Sequence, residues 1–157
     1  MKDESPEVPQ EDPIVMYLIV NETLNMSIGK TAAQAAHAAG YLMMQYMEMK
    51  DESRLLVKQM STAVDDRELL ELLKAEYSNM GRKISIMGEW LKVGVRKVVL
   101  KADLKEWRKI KDAYPECALV VDAGLTEIPS GSETVIGLWP MRKSQVAKVV
   151  SHLQVLK

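Results

Sequence analysis

Two kinds of hydrophobic pattern alternate along the chain. "IVMYLIV", Ile14 to Val20, is apolar without a break and rich in β-branched residues. Such a run suits a strand buried on both faces. "CALVVDAG", Cys117 to Gly124, reads as a second buried strand that ends in Asp122. "RKVVLKA" (Arg96 to Ala102) and "ETVIGLW" (Glu133 to Trp139) are further strands, and "KISIM" (Lys83 to Met87) is a weaker one. "TEIPSGS" is a loop.

Between these runs the apolar positions recur at helical spacing. Ala32, Ala33, Ala36, Ala39, Leu42 and Met43 follow Ser27, whose hydroxyl can cap the first turn. Small alanines let such a helix lie close to a sheet. The pattern runs on through "YLMMQYMEMK", and "DESRLLVKQMSTA" is helical as well. "DDRELLELLKAEYSNMG" predicts a helix capped by Asp65 or Asp66 and ended by Gly81. "DLKEWRKIKDAY" places Leu104, Trp107 and Ile110 on one side and stops at Pro115. "KSQVAKVVSHLQV" predicts a closing helix. The order is strand, helix with additions, strand, helix, strand, strand, helix. That order predicts an α/β domain with helices on both faces of a small mixed sheet.

Composition narrows the class. The 157 residues favour one domain. No apolar run approaches the ~18–20 residues that a membrane span needs. "MKDESPEVPQED" carries five acids and one base and lacks the apolar core of a signal peptide. Residues 1–12 therefore read as a disordered acidic tail, and 13–157 as one domain. Cys117 is the single cysteine, so an intrachain disulfide or a cysteine-rich zinc site is excluded. A cytoplasmic protein fits these features. The net charge of −1 conceals an uneven distribution, because Arg82 to Lys111 holds ten bases and three acids. A stretch of that kind can follow a phosphate backbone or form an ordinary solvated face.

One segment calls for a chemical reason. In "NMSIGKTAAQAAHAAG" Gly29 and Lys30 fall in the first helical turn, directly after a buried strand. Ligands gather at such junctions in α/β folds. A lysine there opposes the helix dipole, so it makes sense if it meets an anion, or else it merely points to water. "SIGK" lacks the GxxxxGK[ST] spacing of a phosphate-binding loop.

"LNMSIGKTAAQAAHAA" and "VVDAGLTEIPSGSETVIGLWP" resemble the two signature segments of the archaeal-type (type 2) peptidyl-tRNA hydrolases. Trp90 to Gly94 and "KVVLKA" are also similar to that family, and the likeness covers Met16 to Gln45 and Trp90 to Leu156. The resemblance implies hydrolysis of the ester between a peptide and the 3′ ribose of tRNA. It further implies a mixed sheet of about four strands, no cofactor or metal, and often a homodimer. The family's functional lysine corresponds to Lys30, and Asp122, Gly124 and Thr126 fill its D-A-G-x-T segment. Thr134 matches a further threonine, and Gln34 and His37 match its A-A-Q-x-x-H-A helix. Ester hydrolysis needs a positioned water, an acceptor for its proton and a donor for the oxyanion. Asp122 can orient the water, Lys30 can meet the oxyanion or a phosphate, and Thr126 or Thr134 can position water or the ester. His37, about two turns after Lys30, reaches the rim or sits hydrogen-bonded between helix and sheet.

Several positions depart from the pattern. Asn21 and Thr23 stand where the family has arginine and aspartate, Ile28 where it has lysine, and Trp139 where it has glycine. Two positive charges are thereby lost, each a potential phosphate contact. Trp139 either fills a pocket, covers the site or makes a dimer contact. The stretch from His37 to Trp90 is also longer than the family's. Its excess, at about 50–82, reads as inserted helices that form a lid, a dimer interface or a partner site. The retained polar set favours an active enzyme on peptidyl-tRNA. The departures favour a non-catalytic relative that binds a partner through the inserted helices. An esterase or amidase with another acyl substrate is a third reading.

Overall fold

The structure, a computed structural model, describes residues 11–157. Strand β1 (Ile14–Asn21) is buried along its whole length, as its unbroken apolar run requires. Its side chains alternate between two cores. Ile14, Met16, Leu18 and Val20 face helices α1 (Ile28–Thr62) and α2 (Arg67–Lys92). Val15, Tyr17 and Ile19 face the opposite layer, which contains α3 (Leu104–Ala113) and the short α4 (Lys148–Ser151). The architecture is the expected α/β arrangement with helices on both faces.

Among the described residues the sheet has six strands, somewhat more than the expected number of about four. Its order is β3 (Ala118–Val121), β4 (Glu133–Gly137), β1, β2 (Lys97–Ala102) and β6 (Gln154–Val155), with the two-residue β5 (Met141–Arg142) beside the start of β1. Only β1 and β2 are parallel, with Leu18 opposite Val99, and the other pairs are antiparallel. Close approach of α1 to the sheet depends on Gly137. A Cβ there would lie 3.1 Å from Leu42 and 3.3 Å from Ala38.

Three local expectations are corrected. Lys83 to Met87 is not a strand, and Gly81 does not end its helix, because α2 runs through both. Ile84 and Met87 extend the helical spacing of Leu73, Tyr77 and Met80, and that continuity outweighs the cost of one interior glycine. The closing helix is reduced to Lys148–Ser151, after which Gln154 and Val155 pair with Lys101 and Leu100. An open edge of β2 offers unpaired backbone groups, and pairing with it satisfies more of them than another turn of helix. The acidic tail lies outside the described residues up to position 10. Asp12, its inner end, belongs to the fold, since its carboxylate accepts from the Ser144 amide (2.9 Å) and hydroxyl (2.6 Å). Those two bonds hold its pKa below the ordinary range.

Helix α1 has 35 residues and is about 50 Å long. Beyond Leu42 only Leu56 is buried on it. Residues 50–82 form the outer arms of an antiparallel hairpin of α1 and α2, turning at Ala63 to Asp66.

Candidate active site

The chemistry-bearing residues meet at one end of the sheet. β1 and β3 end there, β4 begins there, and α1 starts there after the short turn Glu22–Leu24. Ser27 caps α1, its hydroxyl accepting from the Lys30 amide at 3.2 Å. The capped turn places Lys30 opposite the end of β3, where Asp122 follows Val121.

The Lys30 ammonium donates to Asp122 Oδ1 (2.5 Å) and to Thr126 Oγ1 (2.8 Å). An ammonium has three donors, so among the described residues one remains for a ligand. Asp122 Oδ1 also accepts from Gln34 Nε2 (3.2 Å), and Oδ2 accepts from the Gly124 amide (2.8 Å). Every one of these bonds favours the charged carboxylate. The Lys30 bond is the largest influence, and together with Gly124 and Gln34 it holds the Asp122 pKa below the usual carboxylate range despite desolvation. Asp122 is thus a fixed negative charge that orients its neighbours and binds a proton weakly at neutral pH.

A second layer fixes the first. Thr134 is fully buried and donates to Gln34 Oε1 at 2.7 Å, with the Val120 carbonyl at 3.2 Å sharing the same proton. That bond fixes which end of the Gln34 amide faces Asp122. Thr134 therefore stands behind Gln34, out of reach of an ester or its water. Asn21 is likewise buried, donating to the Glu133 carbonyl at 3.0 Å. Its Oδ1 accepts from the Thr23 hydroxyl (2.6 Å) and amide (3.2 Å). Two of the four positions that depart from the family pattern, Asn21 and Thr23, thus form a local cap with each other.

The loop from Asp122 to Ser132 closes on itself through Asp122–Ser132 and Gly131–Asp122 backbone bonds. Gly124 has φ +75°, and a Cβ there would lie 2.4 Å from the Ser130 amide nitrogen, so only glycine fits. Glu127 ties this loop to α1. Its carboxylate accepts from the Ser27 hydroxyl (2.6 Å) and amide (2.9 Å), and these bonds lower its pKa. Sequence reading missed Glu127. The available signal was an acid beside Thr126 that could seek the electropositive start of α1.

Other expected residues fall elsewhere. His37 is exposed on α1 and stacks on Tyr41, with ring centroids 6.4 Å apart, so it is not wedged between helix and sheet. Trp139 lies at the far end of the sheet and cannot cover the site. Its indole donates to the Lys83 carbonyl at 3.0 Å and lines a cavity of about 510 Å³ with Met49, Tyr114 and Cys117. Burial holds the Cys117 thiol above its ordinary range. Of the basic stretch, Lys101 pairs with Glu22 at the site end, whereas Lys83 pairs with Glu116 at the other. Among the described residues no cluster of three or more His, Cys, Asp or Glu side chains could hold a metal ion.

A family model described as peptidyl-tRNA hydrolase PTH2 matches residues 14–156. The chain belongs to this family. A peptidyl-tRNA hydrolase of Pyrobaculum aerophilum is 29% identical over 149 residues, covering 92% of this chain and 98% of that protein. One from Methanococcus maripaludis is 26% identical over 144 residues, covering 88% and 96%. A probable peptidyl-tRNA hydrolase 2 of Dictyostelium discoideum is 29% identical over 142 residues, covering 87% of this chain and 52% of its own length.

Proposed function

We propose that this protein hydrolyses the ester between a peptide and the 3′ ribose of tRNA. The observation that carries the reading is the Lys30–Asp122–Thr126 cluster at the start of α1, with one ammonium donor free among the described residues. Water adds to the ester carbonyl, the carbon–oxygen bond to the ribose breaks, and peptide acid and tRNA 3′-hydroxyl are released. The free Lys30 donor meets the developing oxyanion. Asp122 holds the ammonium in place, and with the exposed Thr126 hydroxyl it orients the attacking water. Gln34 and Thr134 are positioning residues that act through Asp122, while Gly124 shapes the loop and His37 contacts substrate from the rim. A PTH2 family member with this cluster intact does not favour the non-catalytic reading, because Asn21 and Thr23 satisfy each other without touching the cluster.

The substrate places the enzyme with the translation machinery, in the cytoplasm, and no helix among the described residues is long and apolar enough to cross a membrane. The hairpin arm at 50–82 is an insertion that serves a protein partner or a second copy of the chain. Its bases and acids are nearly balanced, and it exposes Leu55, Val64, Leu69 and Leu72, a surface poorly suited to RNA. The direct test is peptide release from purified peptidyl-tRNA by wild type, Lys30→Ala and Asp122→Asn. Release by wild type that both folded variants lose supports the reading, and no release by folded wild type at low salt overturns it.

A further inference from the structure

Helix α1 begins with half of a capping box. Ser27 caps it, its hydroxyl accepting from the amide of Lys30, three residues on. In the complete device that third residue is an acid or amide whose side chain returns to the N–H of the capping residue. Helix α3 has the whole of it, since Asp103 accepts from the Glu106 amide at 2.8 Å and Glu106 accepts from the Asp103 amide at 2.9 Å. On α1 the third position holds Lys30, a cation with no acceptor to offer. Glu127 supplies the missing half from 100 positions away in sequence. Its Oε2 accepts from the Ser27 amide at 2.9 Å and its Oε1 from the Ser27 hydroxyl at 2.6 Å. A carboxylate at that place also suits the electropositive end of the helix.

The residue before Glu127 is Thr126, which accepts from the Lys30 ammonium at 2.8 Å. Two neighbouring loop residues thus bond Ser27 and Lys30, one turn apart at the start of α1. Among the described residues, these are the hydrogen bonds that join the outer part of the loop, 123–127, to the helix. The Gly124 amide turns back to Asp122 within the loop itself. The Thr126 contact alone leaves the loop free to pivot about one bond, and the two bonds of Glu127 remove that freedom. The Ser27 bonds, with the Lys30 charge as a smaller influence, lower the Glu127 pKa, so the acid is ionised at neutral pH. We infer that Glu127 is a positioning residue for the reaction: it completes the cap that Lys30 leaves open and so holds Thr126 in register with the Lys30 ammonium. The inference rests on the proposed peptidyl-tRNA hydrolase activity. It assigns the effect to the two-point contact with Ser27, not to the charge of the acid.

The test compares wild type, Glu127→Ala and Glu127→Gln, with circular dichroism to check that each folds. Alanine removes both bonds. Glutamine keeps both without the charge, because its carbonyl oxygen accepts from the Ser27 amide and its NH2 donates to the Ser27 hydroxyl oxygen. On peptidyl-tRNA, Glu127→Ala is expected to lower kcat about tenfold, short of the roughly hundredfold cost of a 1 Å misplacement. KM should stay within about two-fold, because no substrate contact is lost. Glu127→Gln is expected to recover most of the rate, to within about three-fold of wild type. Amide hydrogen exchange gives a readout that needs no turnover. The Ser27 amide should exchange about tenfold faster or more in Glu127→Ala, and close to the wild-type rate in Glu127→Gln. A wild-type kcat in Glu127→Ala would overturn the role, as would a loss confined to KM or a glutamine variant no better than the alanine one. Absence of release by wild type overturns the hydrolase reading, and exchange then decides the tether alone: equal rates in all three proteins overturn it as well.

Discussion

Helix α1 has two halves that differ in what holds them. The first half, rich in alanine, lies against the sheet at Gly137 and carries Lys30 and Gln34 into a network in which each polar group has a named partner. The second half faces α2 and solvent, with Leu56 buried and Met47 and Leu55 exposed. Packing density and polar satisfaction concentrate where the candidate chemistry is. The outer hairpin tolerates exposed apolar residues because nothing there must be held to a fraction of an ångström. Substitutions in the first half should therefore alter turnover, and those in the second should alter little beyond stability.

The largest expected effect is at Gly124. Gly124→Ala forces a Cβ against the Ser130 backbone at a positive φ, so the loop carrying Asp122 and Thr126 must shift. Turnover should fall by about a hundredfold or more, as misplacement near 1 Å does, and steady-state kinetics would show it. Next comes Thr134→Val, which leaves Gln34 free to turn its amide. It should cost about 1–2 kcal/mol in denaturant titration for a lost buried hydrogen bond and lower kcat more than it changes KM. Leu56→Ala reverses that balance, with about 2–4 kcal/mol of stability lost and kcat nearly unchanged.

A smaller effect is readable in pH. The folded Asp122 pKa lies below its ordinary value of 3.8, with Lys30 as the main cause. The unfolded chain therefore takes up the proton first as pH falls. The stability that Asp122 contributes is present in full above about pH 4 and is lost as pH drops through its depressed folded value. Stability curves of wild type and Asp122→Asn should run parallel near neutrality and converge in acid. The smallest effect is expected for Leu72→Ser at the hairpin tip, within about 0.5 kcal/mol and without change in kcat.

Much of this contrast was legible in the sequence where local rules decide. The unbroken run of β1 and the Ser27 cap follow from residue chemistry within a few positions. The junctions that place Lys30 and Asp122 were legible for the same reason. Tertiary competition hid the rest. Ile84 and Ile86 alternate like a strand, yet Met87 and Trp90 of the same segment are buried against the sheet as helix. Gln154 and Val155 continue a helical pattern, yet the free edge of β2 takes them. No spacing rule reveals that Thr134 faces inward onto Gln34, or that Glu127 reaches Ser27 across 100 positions of sequence. These contacts exist only once the strands have paired.

The most direct test is at the lysine itself. N-acetyl-leucyl-tRNA release should be compared for wild type, Lys30→Ala and Leu72→Ser under single-turnover conditions. The expected result is prompt release by wild type and by Leu72→Ser, with a loss of about a hundredfold or more for Lys30→Ala, the scale of a missing oxyanion donor. A folded Lys30→Ala protein that releases peptide at the wild-type rate would contradict the assignment of the chemistry to the start of α1.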